Sequence, residues 1–378
     1  MPMSAPDRPA FLPPATALGL LEVDVAAIVA NWQRAQAQAA PGQCAAVVKA
    51  DAYGLGVQQV VPALAAAGCQ WFFVAQIDEG LALRALLPAS ARVVILGGIS
   101  GGGIDAARTL HEHDLTPVMN DPGTLDQWCA FAGQVGVRLS ALLHLDTGMN
   151  RLGFMADDYQ SLASSPDRLG GVELLASMTH LASADSHQSD QTRTQIARFE
   201  AMPHPPSTLG RSLANSAGLF HPNVPRCDLA RPGCALYGVN PTPGRPNPMQ
   251  AVVTLWARVM QARNIAAGEA VGYGADYIAP SSRRIATLGI GYADGLHRLS
   301  QTAAVWFGPH RAPIAGRISM DLITVDVTDV PEAALAPGWA RVLGLEQGVD
   351  DLADHGRTIG YEVLTSLGRR YPRHYATP

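Results

Sequence analysis

Lys49 ends a short apolar run and stands before a tyrosine and two glycines, within VVKADAYGLG at 47–56. A β-branched run of this kind reads as a buried strand. A lysine at its tip, partly withdrawn from water, shifts toward the neutral amine, the nucleophilic and basic form. Schiff-base chemistry is one reading of this segment, and a lysine that snorkels off a strand end is the other. Further polar residues follow later apolar runs: Asp146 and Arg151 after the fifth, His180 after the sixth, Asn215 and Ser216 after the seventh, Arg231 after the eighth. Strand-end polar groups that converge on one face form a site, because each must find partners there.

The runs that would position these residues are 46–49, 71–75, 93–97, 116–120, 139–146, 172–180, 212–215 and 228–231, with helices expected at 25–38, 57–67, 124–135 and 192–202. Eight alternating units predict a closed (β/α)8 TIM-type barrel over 15–240, ahead of an open doubly wound sheet. The residues before it, 1–14, are rich in proline and read as a flexible tail. Segment 241–250 carries four prolines, which neither a helix nor a central strand accepts, and reads as a linker. Beyond it, 251–378 predicts a mainly β domain with strands near 252–263, 284–288, 303–307, 322–327 and 340–343, and a single late helix at 361–371. The glycine run GGISGGG at 97–103 lacks a following G-K-[ST] and reads as a loop.

NSAG at 215–218 and RPGCALYG at 231–238 are small-residue turns after the last two strands, where this fold usually binds phosphate through backbone N–H groups. A lysine on the first strand with a phosphate cradle on the last two implies a phosphorylated carbonyl compound held covalently. Pyridoxal 5'-phosphate meets that description. Composition agrees with a small-molecule enzyme. Of 378 residues, 48% are apolar and only 16% charged, as suits a sheet buried on both faces, and low surface charge hints at an oligomer. A net charge of -5 without a basic block argues against nucleic acid. Cys44, Cys69, Cys129, Cys227 and Cys234 form no C-x-x-C pair, so neither a disulfide framework nor a zinc site is expected. With no expected signal peptide or membrane span, the cytoplasm is the expected compartment.

The chain resembles the alanine racemases, fold-type III pyridoxal phosphate enzymes, from about residue 20 to its end. The resemblance rests on VVKADAYGLG, LDTGMNRLGF from Leu145, MTHLASAD from Met178, NSAG, LARPGCALYG from Leu229, VGYGADY from Val271, IGYADG from Ile290, GRISMDL from Gly316 and IGYEVL from Ile359, all in order. It implies that Lys49 bonds to the cofactor and that Tyr273 is the second catalytic residue. Tyr53, Ser216 with its neighbour Asn215, Gly233, Cys234 and Tyr361 match phosphate-binding positions, Gly233 and Cys234 through their N–H groups. Arg231 matches the partner of the pyridine nitrogen, and His180 lies against the ring. Arg151 and the Met320 backbone match contacts to the substrate carboxylate, with Asp321, Tyr292 and His144 in support. In the family Tyr273, Met320 and Asp321 come from the second subunit, so a homodimer is implied.

Racemisation removes the α-proton from one face and returns one to the other, so two acid/base groups must flank the substrate plane. Lys49 would serve the D-isomer and Tyr273 the L-isomer. Arginine at the ring nitrogen donates a hydrogen bond and keeps its proton, which restrains the electron sink and disfavours transamination. Its alternative role is an ion pair with Asp228. The chain departs from the family at His144, where many relatives have a carbamylated lysine that holds the arginine, so Arg151 would need another anion. It departs also at Ser319, where cysteine is common, and at Leu55, where histidine is. An amino acid decarboxylase of the same fold type, a non-catalytic pyridoxal phosphate carrier and a cofactor-free aldolase remain as competing readings.

Overall fold

The computed structural model describes residues 8–11, 13–99, 101–186, 188–298 and 302–376. Residues 1–7 and 12 of the expected tail, and Ser100 of the expected glycine loop, lie outside this set. The chain forms two compact units, Ile28–Gln250 and the described residues of Met1–Ala27 with Ala251–Pro378.

The first unit is the barrel. Parallel strands follow one another around it in chain order: Ala46–Val47, Trp71–Val74, Arg92–Ile95, Leu115–Met119, Leu139–His144, Val172–Met178 and Gly210–Ser212. The eighth, Leu229–Ala230, pairs in parallel with Gln43–Cys44, which leads directly into the first. On its other side Asp228 N–H donates to Arg211 O at 2.9 Å and Arg231 N–H to Ala214 O at 2.8 Å, closing the ring. Phe72, Phe73, Val93, Val94, Ile95, Leu142 and Leu143 are fully buried, the mark of strands covered on both faces. The helices form close to the expected positions, as Val25–Ala39, Val57–Ala66, Pro122–Val135 and Asp190–Ala201. Pro122–Val135 shows why: Asp121 caps it by accepting from Thr124 N–H at 2.9 Å, a proline opens it, and Gly136 ends it with φ 68°. The proline-rich segment is pinned on this unit, since Asn31, 1% exposed, donates to Leu236 O and Gln250 O and accepts from Gln250 N–H.

The second unit differs from expectation at both ends of the chain. Gly19–Asp24, within the span expected for the barrel, is instead a strand of the β unit. It lies between Val253–Ile265, antiparallel, and Arg373–Ala376, parallel, and buries Leu20, Leu21 and Val23. Val253–Ile265 is the spine of this unit, pairing also with Arg283–Leu288 and Trp339–Leu343. Ala304–Phe307, His310–Pro313 and Ile323–Asp326 complete the sheet. The late helix is shorter than expected, Gly360–Ser366, because Gly368 N–H and the Tyr371 hydroxyl both turn back to the Asp294 carbonyl. A second late helix, Val349–Gly356, precedes it.

Candidate active site

Lys49 leaves the first barrel strand into a turn of unusual hand. Ala50, Asp51, Ala52 and Tyr53 all have φ between 53° and 56°, a left-handed helical turn built without glycine. Each such residue costs roughly 1–2 kcal/mol, so the surroundings must impose the shape. Ala50 N–H donates to Glu79 Oε1 at 2.6 Å, Val57 N–H to Asp51 Oδ1 at 2.8 Å, and Gly54 N–H to Ala50 O at 2.7 Å. Ala52 and Leu55 are fully buried, which packs the turn from within. Leu55, noted above as a departure from the resembled pattern, is thus a core residue.

Burial and then the Arg151 guanidinium push the Lys49 amine below its ordinary pKa, with Glu79 acting in the opposite direction. His180 is driven down to about 3 by burial, then by Arg231 and Arg151, with His144 and Lys49 adding to it. His144 falls to about 4 through burial and Arg231, against Asp146. These mutual influences place Lys49, His144, Arg151, His180 and Arg231 in one cluster. Both imidazoles are neutral at neutral pH. His144 Nδ1 lies 2.8 Å from Asn120 Oδ1, and the Asn120 amide group donates to Leu96 O and Val118 O. Nδ1 therefore carries the proton, and Nε2 is left as an acceptor.

Arg231 is 4% exposed and held down to about 10 by burial, still a cation. Its Nη1 donates to Ser212 Oγ and its Nη2 to Thr179 O at 2.6 Å. Asp228 accepts instead from Arg211 N–H at 2.7 Å, so the interstrand carboxylate holds backbone. Arg151 rides on a loop closed where Phe154 N–H donates to His144 O at 2.7 Å and Asp146 N–H to Phe154 O at 3.0 Å. Asp146 Oδ1 accepts from Gly148 and Met149 N–H and shapes that loop. Arg151 itself makes no side-chain hydrogen bond or ion pair among the described residues.

The small-residue turns meet at Ser216. Its Oγ accepts from Gly233 N–H at 2.9 Å and Ala235 N–H at 3.3 Å, leaving its own O–H as a donor. Cys234 is buried in the same turn. A Cβ on Gly233 would stand 2.3 Å from the Tyr53 hydroxyl, so only glycine keeps this cradle open. The Tyr53 ring lies against Tyr237 at a 30° tilt, centroids 4.7 Å apart, and the Tyr237 hydroxyl donates to Val47 O. Asn215 caps the turn, accepting from Gly218 N–H and donating to Leu181 O.

The β unit carries the remaining expected residues. Tyr273 is 72% exposed in a short turn, and Met320 is 52% exposed. Tyr292 N–H donates to Ser319 O and Ala293 N–H to Met320 O, which joins those two loops. Asp321 pairs with Arg370, whose guanidinium also grips the buried Asp294. The Ser319 hydroxyl donates to Leu322 O, a turn contact. Tyr361 lies in the first turn of Gly360–Ser366, 40% exposed. Glu79, Asn120, Thr179, Ser212 and Tyr237 escaped the sequence reading. Glu79 alone left a signal, an acid at the third position of a helix just after a barrel strand.

A closed parallel barrel with a lysine on its first strand, a glycine cradle on its last two turns and an appended β unit defines the barrel class of enzymes that hold a phosphorylated carbonyl cofactor on lysine. Residues 23–241 match the family described as alanine racemase, N-terminal domain, and 252–375 the alanine racemase, C-terminal domain. The chain belongs to the alanine racemase family. It is 46% identical over 362 residues to the alanine racemase of Rhodospirillum rubrum, covering 95% of this chain and 96% of that one. It is 42% identical to a catabolic alanine racemase of Agrobacterium fabrum, with 96% and 93% covered. The crystal structure of alanine racemase from Bartonella henselae with covalently bound pyridoxal phosphate matches with a TM-score of 0.89 at 38% identity, over 95% of this chain and 100% of that one.

Proposed function

We propose that this protein interconverts L- and D-alanine with pyridoxal 5'-phosphate held on Lys49, and that Lys49 and Tyr273 are its two acid/base groups. The observation that carries the reading is the environment of Lys49: an amine with a lowered pKa that feels Arg151 and the neutral His180, which itself feels Arg231 and His144. The residues fit the cofactor. Lys49 offers an amine for its carbonyl carbon, Arg231 a fixed donor for its ring nitrogen, and Ser216, Gly233, Cys234 and Tyr53 a cradle for its phosphate. When bound, the cofactor supplies an electron sink that acidifies the α-proton of the amino acid.

The protein's own part is positioning and proton transfer. The left-handed turn aims Lys49 from the strand end, and its lowered pKa raises the fraction able to accept a proton near neutral pH. Arg231, tied to Ser212 and Thr179, stays a cation and donates without giving up its proton. His180 stays neutral down to about pH 3 and adds no charge at the ring. Arg151 is in no ion pair among the described residues, which leaves its fork for the substrate carboxylate. The neutral His144 orients no carboxylate of its own.

Tyr273 is the reason to propose a homodimer. At 72% exposure its phenol has little protein around it to enclose and orient an acid/base group. A second subunit would supply that environment, with Tyr273, Met320 and Asp321 completing the barrel site across the interface. Exposed Ile278, Ile359 and Tyr292 on the same unit support an association surface. No helix among the described residues is long and apolar enough to cross a membrane, and none of the five cysteines is in a disulfide; the proposed place of action is the cytoplasm.

L-alanine in deuterium oxide tests the reading. Inversion together with α-deuterium uptake is expected, and borohydride reduction followed by peptide mapping should find the cofactor on Lys49. Exchange without inversion would leave one working base and defeat the two-base assignment.

A further inference from the structure

Tyr273 sits at the tip of a hairpin that has little to hold it. Ala270–Val271 and Tyr277–Ile278 share two residue pairs, and so short a ribbon is marginal on its own. Between them Gly272 and Gly274 each have φ 74° and Ala275 has φ 52°, so the turn departs from any regular helix. Tyr273 makes no side-chain hydrogen bond among the described residues. The base of the hairpin is packed, Val271 with Ile285 and Ala315 and against Tyr277, and the Tyr277 hydroxyl donates to Asp326 Oδ2 at 2.8 Å. Arg317 grips Asp276 with two parallel hydrogen bonds, Nε to Oδ2 and Nη2 to Oδ1, the latter at 2.9 Å. The guanidinium lies so close under the turn that a Cβ on Gly274 would meet its Cζ at 3.1 Å. Gly316, φ 85°, lets the same loop approach Val271 O, where a Cβ would stand at 2.6 Å. Arg317 is three residues ahead of Met320 in that loop.

We propose that Asp276 and Arg317 are positioning residues for Tyr273, a forked clamp that locks the hairpin tip to the loop carrying Met320. This rests on the reading of Tyr273 as the acid/base group for L-alanine. The clamp fixes the phenol oxygen against the backbone that receives the substrate carboxylate, so the spacing of the two is set within one subunit. A proton-transfer group that drifts by an ångström loses rate while substrate binding is little changed. The fork matters as well as the charge, because lysine offers a point charge that leaves the planar register undefined.

The test compares Asp276→Asn, Arg317→Lys and the milder Asp276→Glu with the parent and Tyr273→Phe, all as cofactor-loaded enzyme. For Asp276→Asn and Arg317→Lys, kcat should fall about 10- to 100-fold with KM within about threefold. The α-deuterium isotope effect should rise with L-alanine, whose proton Tyr273 removes, and fall with D-alanine, where Tyr273 only returns a proton. Amide hydrogen exchange should quicken in residues 270–278 and nowhere in the barrel, and Asp276→Glu should recover part of the rate. Parent-like isotope effects and exchange would reduce the pair to an ordinary surface ion pair and overturn the clamp. Should the clamp variants behave as the parent while Tyr273→Phe is inactive, only the clamp falls. A Tyr273→Phe enzyme that racemises at the parent rate would remove the reading beneath it.

Discussion

Gly233 and the two buried histidines are where single groups decide the chemistry. A methyl group at Gly233 would collide with Tyr53 at 2.3 Å, and the φ of -121° adds no backbone strain of its own, so the effect of Gly233→Ala is purely local. Overpacking of about 1–3 kcal/mol should weaken pyridoxal phosphate binding about 5- to 150-fold. Absorbance titration of the apoenzyme with the cofactor measures this. His144 and His180 titrate near 6.5 when unfolded and at about 4 and about 3 when folded. The unfolded chain therefore takes up protons first as the pH drops. Their contribution to stability is complete above about pH 6.5 and is lost toward pH 4 and 3, at up to about 1.4 kcal/mol per pH unit for each. His144→Gln should make the decline of the urea midpoint between pH 6.5 and about 4.5 shallower than in the parent; an unchanged slope would show that this imidazole does not resist protonation.

At the scale of elements, the left-handed turn after Lys49 makes the strongest prediction. Ala50 is exposed and its N–H is bonded, so Ala50→Gly relieves a disallowed hand without opening a cavity. The barrel should gain about 1 kcal/mol in urea unfolding. The same change should slow turnover, because a permissive residue beside Lys49 loosens its aim. The barrel strands were legible because Phe72–Phe73 and Val93–Ile95 are continuous apolar runs, which is what burial on both faces demands. The left-handed turn was not legible, since ADAY contains neither glycine nor asparagine and its shape is imposed by Glu79 from another element. The Asp276 and Arg317 pair is hidden for a similar reason: 41 residues separate the partners, and each alone reads as a solvated charge. Gly19–Asp24 was misassigned because its pairing partners, Val253–Ile265 and Arg373–Ala376, lie at the far end of the chain. Local pattern gives a strand's existence and says little about which sheet receives it.

For the whole molecule, shared sites across a two-fold interface have a signature that no monomer can produce. Inactive Lys49→Ala and inactive Tyr273→Phe chains, mixed and reassembled, should regain about a quarter of parental activity, since half of the dimers would be hybrids with one intact site. No recovery would mean that each subunit supplies both groups itself. The path of the chain adds a consequence in time. Gly19–Asp24 emerges early in synthesis, yet its neighbours on both sides, Val253–Ile265 and Arg373–Ala376, come only after the entire barrel has been made. At roughly 5–20 residues per second, Leu20, Leu21 and Val23 wait on the order of ten seconds or more without a sheet to enter. The barrel can be finished on the ribosome during that interval, while the unit bearing Tyr273 closes only when the last strand is released. A nascent chain would thus hold its lysine in place before the proposed second proton-transfer group has a fold to stand on.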